Sequence, residues 1–178
     1  MTDRTALARR IHAAARITGE FKLRSGAVSH VYFDKYRFET EPKLLADIAA
    51  AMAPLVPDDV EVLAGLEMGA IPIVTMLSQV TGLPACFVRK KAKEYGTCRL
   101  AEGAEISGRR ILVVEDVVTS GGQVVLSSAD LRERGADIAG AICVIDRQAG
   151  GADRLAEIDV PLTPLFTMAE LEAAAASA

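Results

Sequence analysis

A chain of 178 residues can bury one sizeable core, and 51% hydrophobic with 4% aromatic residues and no Trp suits an aliphatic-cored α/β domain, excluding an aromatic platform for stacked bases. A formal net charge of −4 excludes a general basic field for nucleic acid, so any anionic ligand has to be gripped by a local cluster. Cys86, Cys98 and Cys143 are odd in number and far apart, and no apolar run reaches the roughly 20 residues that span a bilayer, so the expectation is free thiols in a reducing cytoplasm, without export signal or membrane anchor.

In chain order, Leu7, Ile11 and Ala14 or Ala15 predict an amphipathic helix over 5–17. The stretch FKLRSGAVSHVYFDKYRF that follows holds three of the five Phe and two of the three Tyr, breaks at Ser25-Gly26, and reads as short strands and loops. From Pro42 the chain alternates. Leu44, Leu45, Ile48 and Met52 mark a helix stopped by Pro54 and Pro57, 60–66 is a strand, 71–80 a helix and 84–88 a strand. Residues 89–108 are polar and predict a long exposed loop or hairpin. A strand at 110–114, a helix at 123–134 stopped by Gly135, a strand at 139–145, a weaker strand near 162–166 and an Ala-rich helix complete the pattern.

Strands separated by helices need crossovers, which predicts a mostly parallel central sheet with helices on both faces. ILVV and AICVI are almost wholly apolar, as strands covered on both faces must be. Ligands of such sheets bind at the carboxyl ends of the strands, so the loops beginning at Gly65, Arg89, Glu115 and Asp146 should share one edge.

One of these loops, EDVVTSGGQ at 115–123, carries two adjacent acids and then a run of small residues. A small-residue turn opening a helix aims several backbone N–H groups and the positive end of the helix dipole into one hollow, which cradles an anion. The acids would repel a bare phosphate and call for a second ligand feature, ribose hydroxyls or a divalent cation, and a phosphorylated sugar offers both. A plain tight strand-to-helix connection is the simpler alternative. Neither a G-x-x-x-x-G-K nor a G-x-G-x-x-G motif follows a predicted strand.

An apolar strand, two acids, two hydrophobics, Thr and small residues in that order resembles the motif by which type I phosphoribosyltransferases bind phosphoribosyl pyrophosphate (PRPP). VRKKAKEYG at 88–96 resembles the mobile loop of the orotate phosphoribosyltransferases, FKLRSG with SHVYFD their N-terminal hood, and VIDRQ at 144–148 their strand-end Arg segment, so the likeness runs in matching order from about 20 to 150. It implies a single phosphoribosyltransferase domain over 1–178, with hood elements in about 1–40 and the core in about 41–178. The activity implied is transfer of phosphoribose from PRPP to orotate, giving orotidine 5′-monophosphate and pyrophosphate in pyrimidine (UMP) synthesis. Mg²⁺ would come bound mainly through PRPP, without protein ligands, in a homodimer with shared active sites.

Residue by residue, the likeness sets Glu115 and Asp116 at the ribose hydroxyls and Val117, Val118, Thr119, Ser120, Gly121, Gly122 and Gln123 around the 5-phosphate. Asp116 and Lys93 are the catalytic candidates. Arg89, Lys90, Lys93 and Tyr95, the last at a position usually held by His, correspond to pyrophosphate-binding positions, although RKKAKE alone would pass for a solvated charge run. Arg147 corresponds to the side chain that binds the orotate carboxylate and Thr119 to a second orotate contact; a pair of Arg147 with Asp146 is the bland alternative. Tyr32 and Phe33 correspond to hood residues over the base, or are plain core aromatics.

This sequence departs from the family pattern at two places. Met68-Gly69-Ala70-Ile71-Pro72 stands where many relatives have Tyr-Lys-Gly-Ile-Pro, so a PRPP-contacting Lys is missing at Gly69, and Arg24 replaces a hood Lys. A transferase for another nucleobase, or a non-catalytic PRPP-sensing regulator, are the rival readings; Arg147 and the Lys93 loop favour orotate. His12 and His30 lie outside the matched motifs.

Overall fold

The computed structural model describes residues 3–22, 26, 28–91 and 100–177. Helix α1 (Arg4–Ala15) starts at Asp3, whose carboxylate accepts hydrogen bonds from the Thr5 and Ala6 amides. Its predicted last turn is replaced by a strand. Arg16 already pairs with Phe33 in the antiparallel hairpin of β1 (Arg16–Lys22) and β2 (Val28–Phe33), so the backbone turns extended one residue beyond Ala15. A single helical turn, α2 (Tyr36–Glu39), follows and leads to α3 (Pro42–Met52), with Pro42 in its first turn and Glu41 capping the Leu44 amide at 2.5 Å.

The main sheet has six strands: β3 (Val62–Leu66), β4 (Ala85–Val88), β5 (Ala101–Gly103), β6 (Arg110–Val118), β7 (Asp137–Asp146) and β8 (Leu162–Thr167). Their order is β5-β4-β3-β6-β7-β8, every pair parallel except β4 with β5. β4 and β5 pair antiparallel, and the Arg89 amide donates to the Leu100 carbonyl at 2.9 Å; of the polar stretch predicted as a loop or hairpin, 92–99 lies outside the described residues. Crossover helices α4 (Ala70–Thr81), α5 (Gly122–Glu133) and α6 (Gly151–Ala156), and the closing α7 (Met168–Ala176), cover the faces. Apart from the far end of β6, predicted boundaries otherwise hold within two residues, and the short α2 and α6, with few apolar positions to show a period, went unpredicted.

Strand alternation divides the core. Leu112, Val114, Ile142 and Val144 join one buried cluster with residues of α1, α3, α4 and α7, while Ile111, Val113 and Cys143 join a second with residues of α5 and α6. Leu7 and Ile11 of α1 belong to the first cluster, so the N-terminal segment is sewn into the core even as its hairpin stands apart.

β6 departs most from expectation. It does not stop before the acids but runs on through Val118, with Val117 opposite Ile145 and Val118 opposite Asp146. Ladder pairing to the long β7 carries Glu115 and Asp116 inside the sheet, and both are buried.

Candidate active site

The strand ends gather as parallel topology requires, and two hollows open there. The first, of about 190 Å³, is lined by Glu115 and by Val117 to Val124. Gly121 caps α5 with φ +71°, a left-handed conformation that glycine adopts without strain. The floor is tight. A Cβ on Gly121 would lie 3.1 Å from the Gly151 carbonyl oxygen, and one on Gly151 would lie 2.7 Å from the Thr119 carbonyl oxygen, so the turn is pressed against the start of α6. Thr119 and Ser120 are exposed, with hydroxyls free to turn toward a ligand, and Gln123 donates from Nε2 to Ser127 Oγ at 3.1 Å. Arg154 of α6, which the sequence did not single out, brings a guanidinium to the rim, 3.4 Å from where a Cβ on Gly122 would stand.

The two acids take different surroundings because neighbours on a strand face opposite ways. Glu115 lines the first hollow; Asp116 turns toward β2–α2 and the Gly69 turn. Lys35 Nζ lies 2.6 Å from Asp116 Oδ2, and the Asp116 side chain is 0% exposed. Burial works against the Lys35 ammonium, but the hydrogen bond to Asp116 and the charges of Asp116 and Glu115 outweigh it and raise its pKa. Burial, and then the charge and hydrogen bond of Asp116, push the Glu115 carboxyl well above the ordinary range. A third carboxyl enters from α2: Glu39 is buried and pushed up to about 9, by burial first and by Asp116 next. Asp116 thus faces one ammonium, with two carboxyls of raised pKa beside it.

The second hollow, of about 220 Å³, is lined by the run from Tyr32 to Tyr36 and by Val117, Thr119 and Arg147. The hood and the ends of β6 and β7 therefore meet where the sequence placed a base. Arg147 is exposed and has no ion pair among the described residues, while Asp146 instead accepts from the Gln148 amide at 2.8 Å. Its amide donates to the Val118 carbonyl at 2.9 Å, which fixes its backbone beside the turn. Val117 and Thr119 line both hollows, so the two adjoin.

Arg89 lies beyond β4 with Nε 3.6 Å from Glu102 Oε1, and the Lys90 amide donates to Glu67 Oε1 at 2.6 Å, which ties the loop base to the β3–α4 turn. Lys93, Tyr95 and Arg24 lie outside the described residues. Sequence reading missed Lys35 and Glu39. Their signal was the four-residue spacing of a cation and an acid across one helical turn in an otherwise aromatic segment.

Comparison with known proteins bears on the same surfaces. Residues 37–166 match the model of the phosphoribosyl transferase domain. The chain is 49% identical to the orotate phosphoribosyltransferase of a Nocardioides species over 98% of its own length and 97% of the relative's. It is 41% identical to that of Halobacterium salinarum over 86% of this chain and 87% of the other. Among solved structures, the Mycobacterium tuberculosis orotate phosphoribosyltransferase in complex with PRPP superposes with a TM-score of 0.82 at 28% identity, covering 95% of this chain and 98% of that one.

Proposed function

The chain belongs to the orotate phosphoribosyltransferases, within the phosphoribosyl transferase domain family, and from that premise we propose how its two hollows share the reaction. The enzyme transfers the 5-phosphoribosyl group of PRPP to orotate, giving orotidine 5′-monophosphate and pyrophosphate. The observation that carries the division of labour is that the small-residue cradle and the hood-covered hollow adjoin across Val117 and Thr119, a span suited to a phosphoribosyl donor beside a planar base.

In this reading Thr119 to Gln123 hold the 5-phosphate through amides and hydroxyls, with Val117 and Val118 as apolar walls. Glu115 and Asp116 meet the ribose hydroxyls. As the bond from C1 to pyrophosphate breaks, positive charge grows on the ribose ring, and the fixed carboxylate of Asp116 stabilises it. N1 of orotate forms the new bond to C1 and releases its proton. Arg147 takes the orotate carboxylate in a planar fork, Thr119 adds a contact, and Tyr32 and Phe33 cover the ring. Arg89, Lys90, Lys93 and Tyr95 serve the departing pyrophosphate, with Lys93 the catalytic cation, and Arg24 serves from the hood.

Mg²⁺ enters on the donor. The phosphate and hydroxyl oxygens of PRPP are hard oxygen donors of the kind Mg²⁺ takes, and they would hold the ion. When bound, the ion neutralises charge developing on pyrophosphate. We further propose one domain over 1–178, with hood elements in 1–40 and the core in 41–178, working as a cytoplasmic homodimer with shared sites. The free, buried thiols of Cys86 and Cys143 support a reducing location, and no helix among the described residues is long and apolar enough to cross a membrane. Purified protein incubated with Mg²⁺, PRPP and orotate should consume orotate and release pyrophosphate, leaving uracil and hypoxanthine unchanged. Turnover of another base in place of orotate, or of none, would overturn the reading.

A further inference from the structure

None of the side chains lining the first hollow, Glu115 and the run from Val117 to Val124, is cationic, and the chain as a whole carries a net charge of −4. Amides, two hydroxyls and the start of α5 can meet the oxygens of a phosphate monoester there, but none of them carries a full positive charge. That charge stands at the rim, on α6. The start of α6 touches the cradle turn: a Cβ on Gly151 would lie 2.6 Å from Val118 Cγ1 and 3.3 Å from the Gly121 amide nitrogen. Leu155, fully buried, lies under the same turn, its Cγ 3.4 Å from a would-be Cβ on Gly121. Beyond α6, Arg132 of α5 donates to the Ile158 and Asp159 carbonyls at 2.9 and 3.4 Å, so the helix is held in place at both ends.

Arg154 follows Gly151 by three residues and shares its face of α6, and long helical side chains lean back toward the helix start. Its Nη1 accordingly lies 3.4 Å from the point where a Cβ on Gly122 would stand, and Ser120 Oγ lies 3.9 Å from that same point. A guanidinium and a cradle hydroxyl thus flank one gap, which exists because residue 122 has no side chain. An arginine placed to brace α6 would be paired, yet Arg154 is exposed and among the described residues makes no ion pair and donates no side-chain hydrogen bond. Leu155 and Arg132 do the bracing. We infer that Arg154 is a substrate-binding residue that closes the cradle over the 5-phosphate, its planar fork supplying the full positive charge that the turn lacks. The inference rests on the phosphoribosyltransferase reading above and adds to it a residue outside every motif of the sequence. The 5-phosphate is unchanged as PRPP becomes orotidine 5′-monophosphate, so this contact holds donor, transition state and product alike, and its effect belongs in KM and Kd and not in kcat.

Calorimetric titration with ribose 5-phosphate and with orotidine 5′-monophosphate, and steady-state kinetics in both directions with Mg²⁺, test it on Arg154→Ala, Arg154→Gln and Arg154→Lys. Losing a charge-assisted fork should raise the Kd of both ligands and the KM for PRPP about fivefold or more in Arg154→Ala and Arg154→Gln, with kcat within about twofold of wild type. Arg154→Lys keeps the charge without the fork and should fall between these and wild type. The KM for orotate, and that for pyrophosphate at saturating orotidine 5′-monophosphate, should stay within about twofold of wild type. Arg154→Gln keeps most of the stem and guards against loss of fold. Unchanged ribose 5-phosphate affinity in Arg154→Gln would overturn the inference, as would a fall in thermal stability and kcat with that affinity intact, or an equal loss toward pyrophosphate. If wild-type protein fails to turn over orotate, it is the proposed function that falls; if it turns over and Arg154→Gln binds ribose 5-phosphate normally, only this inference does.

Discussion

Gly69 and Asp116 compete for one volume: a Cβ on Gly69 would lie 1.5 Å from Asp116 Oδ2. The Gly69 turn between β3 and α4 is thus shaped around a carboxylate arriving from β6, and Asp116 owes its position to the absence of a side chain at the N-cap of α4. Gly69→Ala should push Asp116 off Lys35 and lower kcat/KM for PRPP by about tenfold or more, a loss on the order of 1.4 kcal/mol in transition-state binding. Wild-type kinetics in Gly69→Ala would contradict this packing argument.

The cradle makes a similar demand at Gly121. Its φ of +71° is left-handed and the Gly151 carbonyl oxygen stands 3.1 Å from a would-be Cβ, so alanine meets both backbone strain and a backbone contact that cannot swing away. Gly121→Ala should cost about 1–3 kcal/mol in urea unfolding. PRPP binding should weaken further, because the amides proposed to meet the phosphate belong to this turn; titration with PRPP would read that loss separately from stability.

Glu39 predicts a pH dependence. Burial and Asp116 raise its carboxyl from an ordinary 4.5 to about 9 against the pull of Lys35, with Asp34 adding to the rise. Between those values the folded protein binds this proton and the unfolded chain does not, so the carboxyl's contribution to stability is greatest below pH 4.5 and is lost as pH climbs toward 9. Glu39→Gln removes the titrating group while keeping a hydrogen-bond donor toward Asp116. It should match wild type below pH 4.5 and gain stability with rising pH, reaching on the order of 1–3 kcal/mol by pH 9 in urea melts. A gain that shrinks with pH would show that Glu39 is ionised in the fold.

Much of the main sheet was legible because its central strands are largely apolar runs and its longer helices show a period: the strands predicted at 60–66, 84–88 and 139–145 from Val, Ile, Leu and Ala spacing run at 62–66, 85–88 and 137–146. The course of β6 through Glu115 and Asp116 was not, since acids break a hydrophobic run, and only ladder pairing to β7 keeps them in the strand. Arg147, Thr119, Tyr32 and Phe33 are far apart in the chain and were gathered by a resemblance; the structure brings them around one hollow. Lys35, Glu39 and Arg154 stayed hidden for a different reason. A charged residue beside a surface turn looks like any solvated one until tertiary packing sets its ammonium, carboxyl or guanidinium against a buried neighbour.

The central claim is that the hollow beside the PRPP cradle selects orotate through Arg147. It is tested most directly by kcat/KM for orotate and for uracil, at saturating PRPP and Mg²⁺, in wild type and Arg147→Ala. The account predicts turnover of orotate and not uracil by wild type, and in Arg147→Ala a fall for orotate of about 10- to 100-fold, as expected for loss of a charge-assisted fork, with KM for PRPP unchanged. Normal use of orotate by Arg147→Ala, or equal use of the two bases by wild type, would contradict it.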